Sequence, residues 1–274
     1  MKKFAFLAFV LVLVFSCRST PQEVEQPRAP TPQPVVAIPE EKFNLWVYAV
    51  GINEYDNNQI FPNLLFAAND ANSILEVLKT QEGQAFESVN TLLISDGSSL
   101  KPTRENILSN FEFLQEAGPD DTIILYFALH RLIRDDIFYL MPSDAKYDEW
   151  EGTDLSSIIS FGDIVKSLDM PGNKIIILDT HYPKTAVDLT SGTDIIVLGA
   201  ATGDEQARES KEAGGGFLTV SIIEAFTMAG DNPELTLADI YDYVAKRVGD
   251  LSENKQNPVL NLPAGIDDII LGIR

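Results

Sequence analysis

Cysteine is nearly missing from this chain of 274 residues, which holds one, Cys17. That excludes an intramolecular disulfide framework and any Cys-rich zinc module. Histidine is almost as scarce: two residues, His130 and His181, leave room for one small His site at most. Basic side chains are outnumbered, 20 against 41 acidic ones, for a formal charge of −21. Such a chain lacks the clustered Lys and Arg that neutralise phosphate, so no nucleic-acid partner is expected. The apolar run Phe4–Phe15 falls short of the roughly 20 residues a membrane-spanning helix needs. What remains is 45% hydrophobic and 9% aromatic, as in an ordinary globular chain. The length fits one large domain with appendages.

The first appendage is a targeting segment. Lys2 and Lys3 precede the apolar run, which reads as a secretory signal over residues 1–16. Its end, Val14-Phe15-Ser16-Cys17, resembles the bacterial lipobox. That resemblance implies cleavage before Cys17, lipid attachment to its thiol, and an exported domain anchored on the periplasmic or cell-surface side of a bacterial membrane. Loss of residues 1–16 removes two lysines and no acid, lowering the charge to −23. Anionic lipid would repel such a domain, so the acyl chains must supply the attachment. Residues 17–44 read as the anchor cysteine and a Pro-rich tether, with six of the fifteen prolines between Pro21 and Pro39. In polyproline II such a stretch spans at most roughly 80 Å.

From residue 45 to 274 the pattern is that of one α/β domain. Short apolar runs (Leu45–Ile52, Val89–Ser95, Thr122–Leu129, Lys174–Asp179, Asp194–Ala201) predict buried strands. Between them run helical faces: Leu64, Ala68, Ala71, Leu75 and Leu78; Ile107, Phe111 and Leu114 after Thr103; then Phe217–Ala229 and Thr236–Val248. Ser160/Asp163 and Thr236/Asp239 have capping-box spacing. Phe138–Met141 suggests a short extension, and Val259-Leu260 and Ile269–Leu271 late edge strands. Gly214-Gly215-Gly216 lacks the Lys-Ser/Thr ending of a phosphate loop and predicts a flexible loop before a helix. Near-continuous apolar strands separated by helices imply a three-layer α/β/α domain with a mostly parallel sheet. Ligands in such folds bind beyond the carboxyl ends of the strands, which directs attention to Asn53, His130, Asp179–His181 and the residues after Ala201.

Those strand ends carry a family resemblance. Tyr126-Phe127-Ala128-Leu129-His130 resembles the Tyr-Phe-Ser-Gly-His segment of caspase-like and metacaspase-like cysteine peptidases. Ile177-Leu178-Asp179-Thr180-His181 resembles their Leu-Asp-Ala-Cys-His segment, about 50 residues on. Val50–Tyr55, Ala67–Ala71, Thr103–Ile107, Gly118–Thr122, Ala200–Glu205, Gly214–Thr219 and Thr236–Val244 are similar to other family segments in order, over roughly residues 44–262. The resemblance implies a caspase-like fold in which His130 and His181 occupy the dyad positions. His181 then stands where the family has its nucleophilic cysteine. With no cysteine beyond Cys17, thiolate chemistry is excluded by composition. Leu129 and Arg131, and Pro183 with Lys184, replace the family's small residues around the two motifs.

In metacaspase-like members, acids at the positions of Asp70 and Asp179 recognise a basic side chain. Here the two either keep that role, binding a basic peptide or protein partner, or only make local hydrogen bonds at a helix start and a strand end. The leading expectation is a lipid-anchored caspase-like domain that binds rather than cleaves and needs no cofactor. The alternative is a zinc or other divalent-metal site on His130, His181 and Asp179, able to support hydrolysis. A purely structural surface protein is the third reading.

Overall fold

The computed structural model describes residues 42–181, 184–203, 205–228, 233–266 and 268–274. Cys17, the leader and nearly all of the expected tether lie outside them. Among the described residues no helix is long and apolar enough to cross a membrane.

Six strands form the central sheet: β1 (Leu45–Gly51), β2 (Val89–Ser95), β3 (Thr122–Ala128), β4 (Asn173–Asp179), β5 (Ile195–Gly199) and β6 (Val259–Asn261). Their order is β6-β5-β4-β3-β1-β2, and only β6 runs antiparallel. Side chains alternate between two cores. Leu45, Val47 and Ala49 of β1 face helices α1 (Ala67–Lys79), α5 (Phe217–Thr227) and α6 (Leu237–Ser252). Trp46, Tyr48 and Val50 face the layer with α2 (Arg104–Ser109), a 3-10 turn at Asn110–Glu116, α3 (Phe161–Ser167) and α4 (Lys184–Leu189). Burial on both faces is why these strands read as unbroken apolar runs. The three-layer α/β/α expectation holds.

The chain leaves β1 for β2 at one edge and returns across β1 to β3, so the strand order reverses between β1 and β3. The crevice at such a switch point is where side loops part and a ligand can enter. Asn53 and His130 emerge on either side of it, and β4 delivers Asp179 and His181 alongside.

Some local expectations changed. Thr236 and Asp239 do form a reciprocal capping box, but Ser160 makes no side-chain cap. Phe138–Met141 is not an extension of β3. Residues Ile137–Leu140 pair antiparallel with Arg131–Arg134, through a tight turn in which Asp135 and Asp136 both take positive φ, and with Ile159–Ser160. In Arg131–Arg134 only two central apolar residues, followed by an unusual Asp-Asp turn, announced that hairpin. Of the two late strands, β6 joins the sheet, whereas Ile270–Ile273 pairs separately with Glu234–Thr236.

At the end of β1 the backbone meets α1. A Cβ on Gly51 would stand 2.2 Å from Ala67 O and 2.7 Å from Ala71 Cβ. Gly51→Ala therefore forces α1 outward. It should lower the urea midpoint by an amount worth about 1–3 kcal/mol, at unchanged m value. A midpoint equal to that of the native chain would contradict this packing.

Candidate functional site

His130, His181, Asp70 and Asp179 all line one cleft of about 180 Å3 at the carboxyl ends of β3 and β4. They come from three separate segments, α1, the end of β3 and the end of β4, and the sheet brings them together.

His130 is held at several points. Its backbone N–H donates to the Tyr55 hydroxyl (2.8 Å), and its carbonyl accepts from Met141 N (2.9 Å). Its ring Nε2 lies 2.6 Å from Pro62 O. A carbonyl can only accept, so Nε2 carries the hydrogen and Nδ1 is the bare nitrogen of the neutral ring. The Tyr55 ring lies 4.9 Å away and supports the imidazole. Burial pushes the His130 pKa down; the Pro62 bond and Glu209 oppose that, and Arg131 adds to it. His181 is lowered as well, first by burial, then by Arg131 and His130. Both rings are therefore neutral near pH 7. The segment between Asp179 and His181 is fixed by Thr180 Oγ1, which donates to Leu129 O (2.8 Å), and Arg131 Nε donates to His181 O (3.3 Å).

The carboxyl pair lies on the α1/α5 face. Asp70, on α1, is 3% exposed and accepts from Gly216 N at 2.9 Å. Asp179, at the end of β4, accepts from Thr219 Oγ1 at 2.7 Å. With Asp179 ionised, Thr219 directs its only hydroxyl hydrogen there, so the buried Tyr126 hydroxyl donates to Thr219 (2.6 Å). Two glycines make room for the acids. A Cβ on Gly215 would lie 2.5 Å from Asp70 Oδ1. One on Gly216 would lie 2.5 Å from Asp179 Oδ2 and 3.1 Å from Asp70 Oδ2. The expected flexible glycine loop is thus a correction: Gly215-Gly216 is a short buried strand paired with Glu209-Ser210, and it fills the space between the two carboxyls. Only a residue without a side chain fits there.

Burial raises the Asp70 pKa to about 8, with the Asp179 and Glu209 charges adding and the Gly216 N–H opposing. Burial raises Asp179 to about 6, opposed by its Thr219 bonds and assisted by Glu209. Near pH 7 the pair holds about one proton. No Lys or Arg among the described residues makes an ion pair with either acid.

Glu209 is the site residue that sequence reasoning missed. Its two oxygens accept from Leu65 N (3.0 Å) and Phe66 N (3.3 Å), and Asn53 Oδ1 accepts from Ala68 N (3.0 Å). Helix α1, whose own N-cap Phe66 offers no side-chain oxygen, is capped from two distant segments. No local signal marks a cap delivered from 143 residues away in the chain.

The metal alternative finds no support in this geometry. Among the described residues no group of three His, Cys, Asp or Glu side chains is arranged to hold an ion. Two of the candidate donors are engaged within the chain: His130 gives Nε2 to Pro62 O, and Asp179 accepts from Thr219 on α5.

The raised carboxyls bear on stability. A carboxyl whose pKa is about 8 folded and near 4 unfolded binds more protons in the native state between those values. Stability from this group is present at low pH and falls as pH rises through that window. Asp70→Asn keeps the acceptor for Gly216 N and removes the charge. It should raise the melting temperature by a few degrees at pH 8 and by much less at pH 4.5. Equal or lower melting at pH 8 would contradict the raised pKa.

The caspase domain family model matches residues 45–264. Among solved structures, a Geobacter sulfurreducens protein superposes with a TM-score of 0.58 at 10% identity, covering 82% of this chain and 95% of that one. The Drosophila initiator caspase Dronc gives 0.55 at 9% identity, covering 84% of each. At such identities the likeness is one of fold. No curated protein matches the sequence. The family match spans most of the chain, and the α/β fold agrees with it: the chain belongs to the caspase-domain family.

Proposed function

We propose that this caspase domain is a lipid-anchored binding module that captures a basic side chain of a peptide or protein in the Asp70–Asp179 cleft and does not act as a cysteine peptidase. The observation that carries the reading is the carboxyl pair: two acids packed against Gly215-Gly216, open to a cleft and without a cationic partner among the described residues. Folding them together without a cation is unfavourable, and an arriving guanidinium or ammonium relieves that cost while forming charge-assisted hydrogen bonds. A neutral or acidic side chain finds no such gain, so the cleft discriminates by charge.

Loss of cleavage is supported by what stands at the dyad. Two neutral imidazoles face the cleft, and the chain has no thiol beyond Cys17. Imidazole attacks only activated acyl groups, and its adduct is labile, so a peptide bond would not be cut at useful rates. Lipid at Cys17 would hold the domain at a membrane surface and the cleft outside the cytoplasm, within reach of exported or surface partners.

His181→Cys puts a thiol in the cleft that His130 also lines. That variant is expected to cleave Arg- or Lys-containing peptides slowly, while the native chain binds them without turnover. Asp179→Asn should weaken this binding at least tenfold. Neither binding nor revived cleavage would contradict a preserved basic-side-chain pocket, and cleavage by the native chain would contradict the binding-only reading.

A further inference from the structure

Apolar side chains that the core does not use collect beside the cleft. Ile60 and Leu65 are exposed on the loop that carries Pro62. Tyr147 and Trp150 are exposed on the adjoining hairpin, where Tyr147-Asp148 pairs with Gly152-Thr153. The loop and the hairpin are tied together: Asp56 N donates to Ser143 O (2.9 Å), and Asn57 Nδ2 donates to Ala145 O (2.7 Å). Aromatic rings step outward from the site, with Tyr55 against His130, Phe61 against Tyr55 at 6.4 Å, and Tyr147 against Phe61 at 6.4 Å.

Trp150, at the hairpin tip, is 92% exposed. It is held there, because Asp148 Oδ1 accepts from both Trp150 N (2.8 Å) and Glu151 N (2.9 Å), and Gly152 closes the loop at φ +81°. Its neighbours Asp148, Glu149 and Glu151 make no ion pair among the described residues. Arg134 reaches only the far strand, at Thr153 O (3.5 Å). An indole face set among carboxylates is suited to a Lys or Arg side chain, which gains a cation–π contact and a charge partner together. A bilayer is a poorer occupant, since three acids would have to approach it with the ring.

We infer that this hairpin is a second recognition point for the same partner: a basic peptide places one cation in the cleft that Asp70 and Asp179 line and lays a second across Trp150. The inference rests on the cleft reading above.

Trp150 also supplies the readout, because the only other tryptophan, Trp46, is buried against Phe113. Two sets of probes suffice for the purified full chain: a blocked glycine peptide with one arginine, and the same peptide with a lysine added three to six positions away. At least one two-cation peptide should bind about five- to tenfold tighter than the single-arginine peptide and shift tryptophan emission to the blue. Trp150→Ser should remove that gain and leave single-arginine binding unchanged, whereas Trp150→Phe should keep part of it. Equal affinity for all peptides, at measurable single-arginine binding, overturns the hairpin site alone. No binding of any peptide overturns both readings. An emission shift with phosphatidylcholine vesicles and no peptide makes the hairpin a membrane contact and overturns it as a peptide site.

Discussion

Asp70 and Asp179 belong to elements far apart in the chain, yet both press on the same two glycines. The sheet sends Asp179 out at the end of β4, α1 brings Asp70 down beside it, and the start of α5 closes over them with Gly216 N and Thr219. Like charges so placed and so buried repel, and the protein answers with one retained proton rather than with a lysine or arginine. The rest of the site is built around holding that pair. Glu209 and Asn53 cap α1 so that Asp70 cannot drift, and Tyr126 backs Thr219.

The opposite end of the sheet shows what a purely structural acid looks like in this fold. Asp121 precedes β3. Burial works against its charge, but hydrogen bonds from Gly118 N, Asn44 and Trp46 Nε1 outweigh it and hold its pKa below the usual range. Every acceptor there is directed at a donor of the chain itself. The Asp70–Asp179 pair has fewer donors, a raised pKa and an opening to solvent. Carboxyls left strained in a cleft are a mark of a binding or catalytic site rather than of a stabilising one.

The sheet strands and the identity of the cleft residues were legible in the sequence, because buried parallel strands write themselves as apolar runs and strand ends point to the site. His130 and His181 stood out through scarcity, through their places at strand ends and through the motifs around them. What escaped had no local signature. Glu209 works from across the chain, and Tyr55 and Pro62 fix His130 through a hydroxyl and a carbonyl that any surface loop contains. The glycine run read as a flexible loop because the carboxyls that require its missing side chains lie some 40 to 150 residues away in the chain. The metal alternative rested on the family-like fold bringing three donors together; among the described residues no such group forms, and His130 and Asp179 are engaged by Pro62 and Thr219.

Proton exchange on binding tests the central claim most directly. If a guanidinium replaces the proton shared by Asp70 and Asp179, calorimetric titration with a single-arginine peptide near pH 7, repeated in buffers of different ionisation enthalpy, should show release of close to one proton. The release should shrink toward zero above about pH 9, where both acids are already charged. Binding with no proton release at pH 7, or release that persists in Asp70→Asn, would contradict the account.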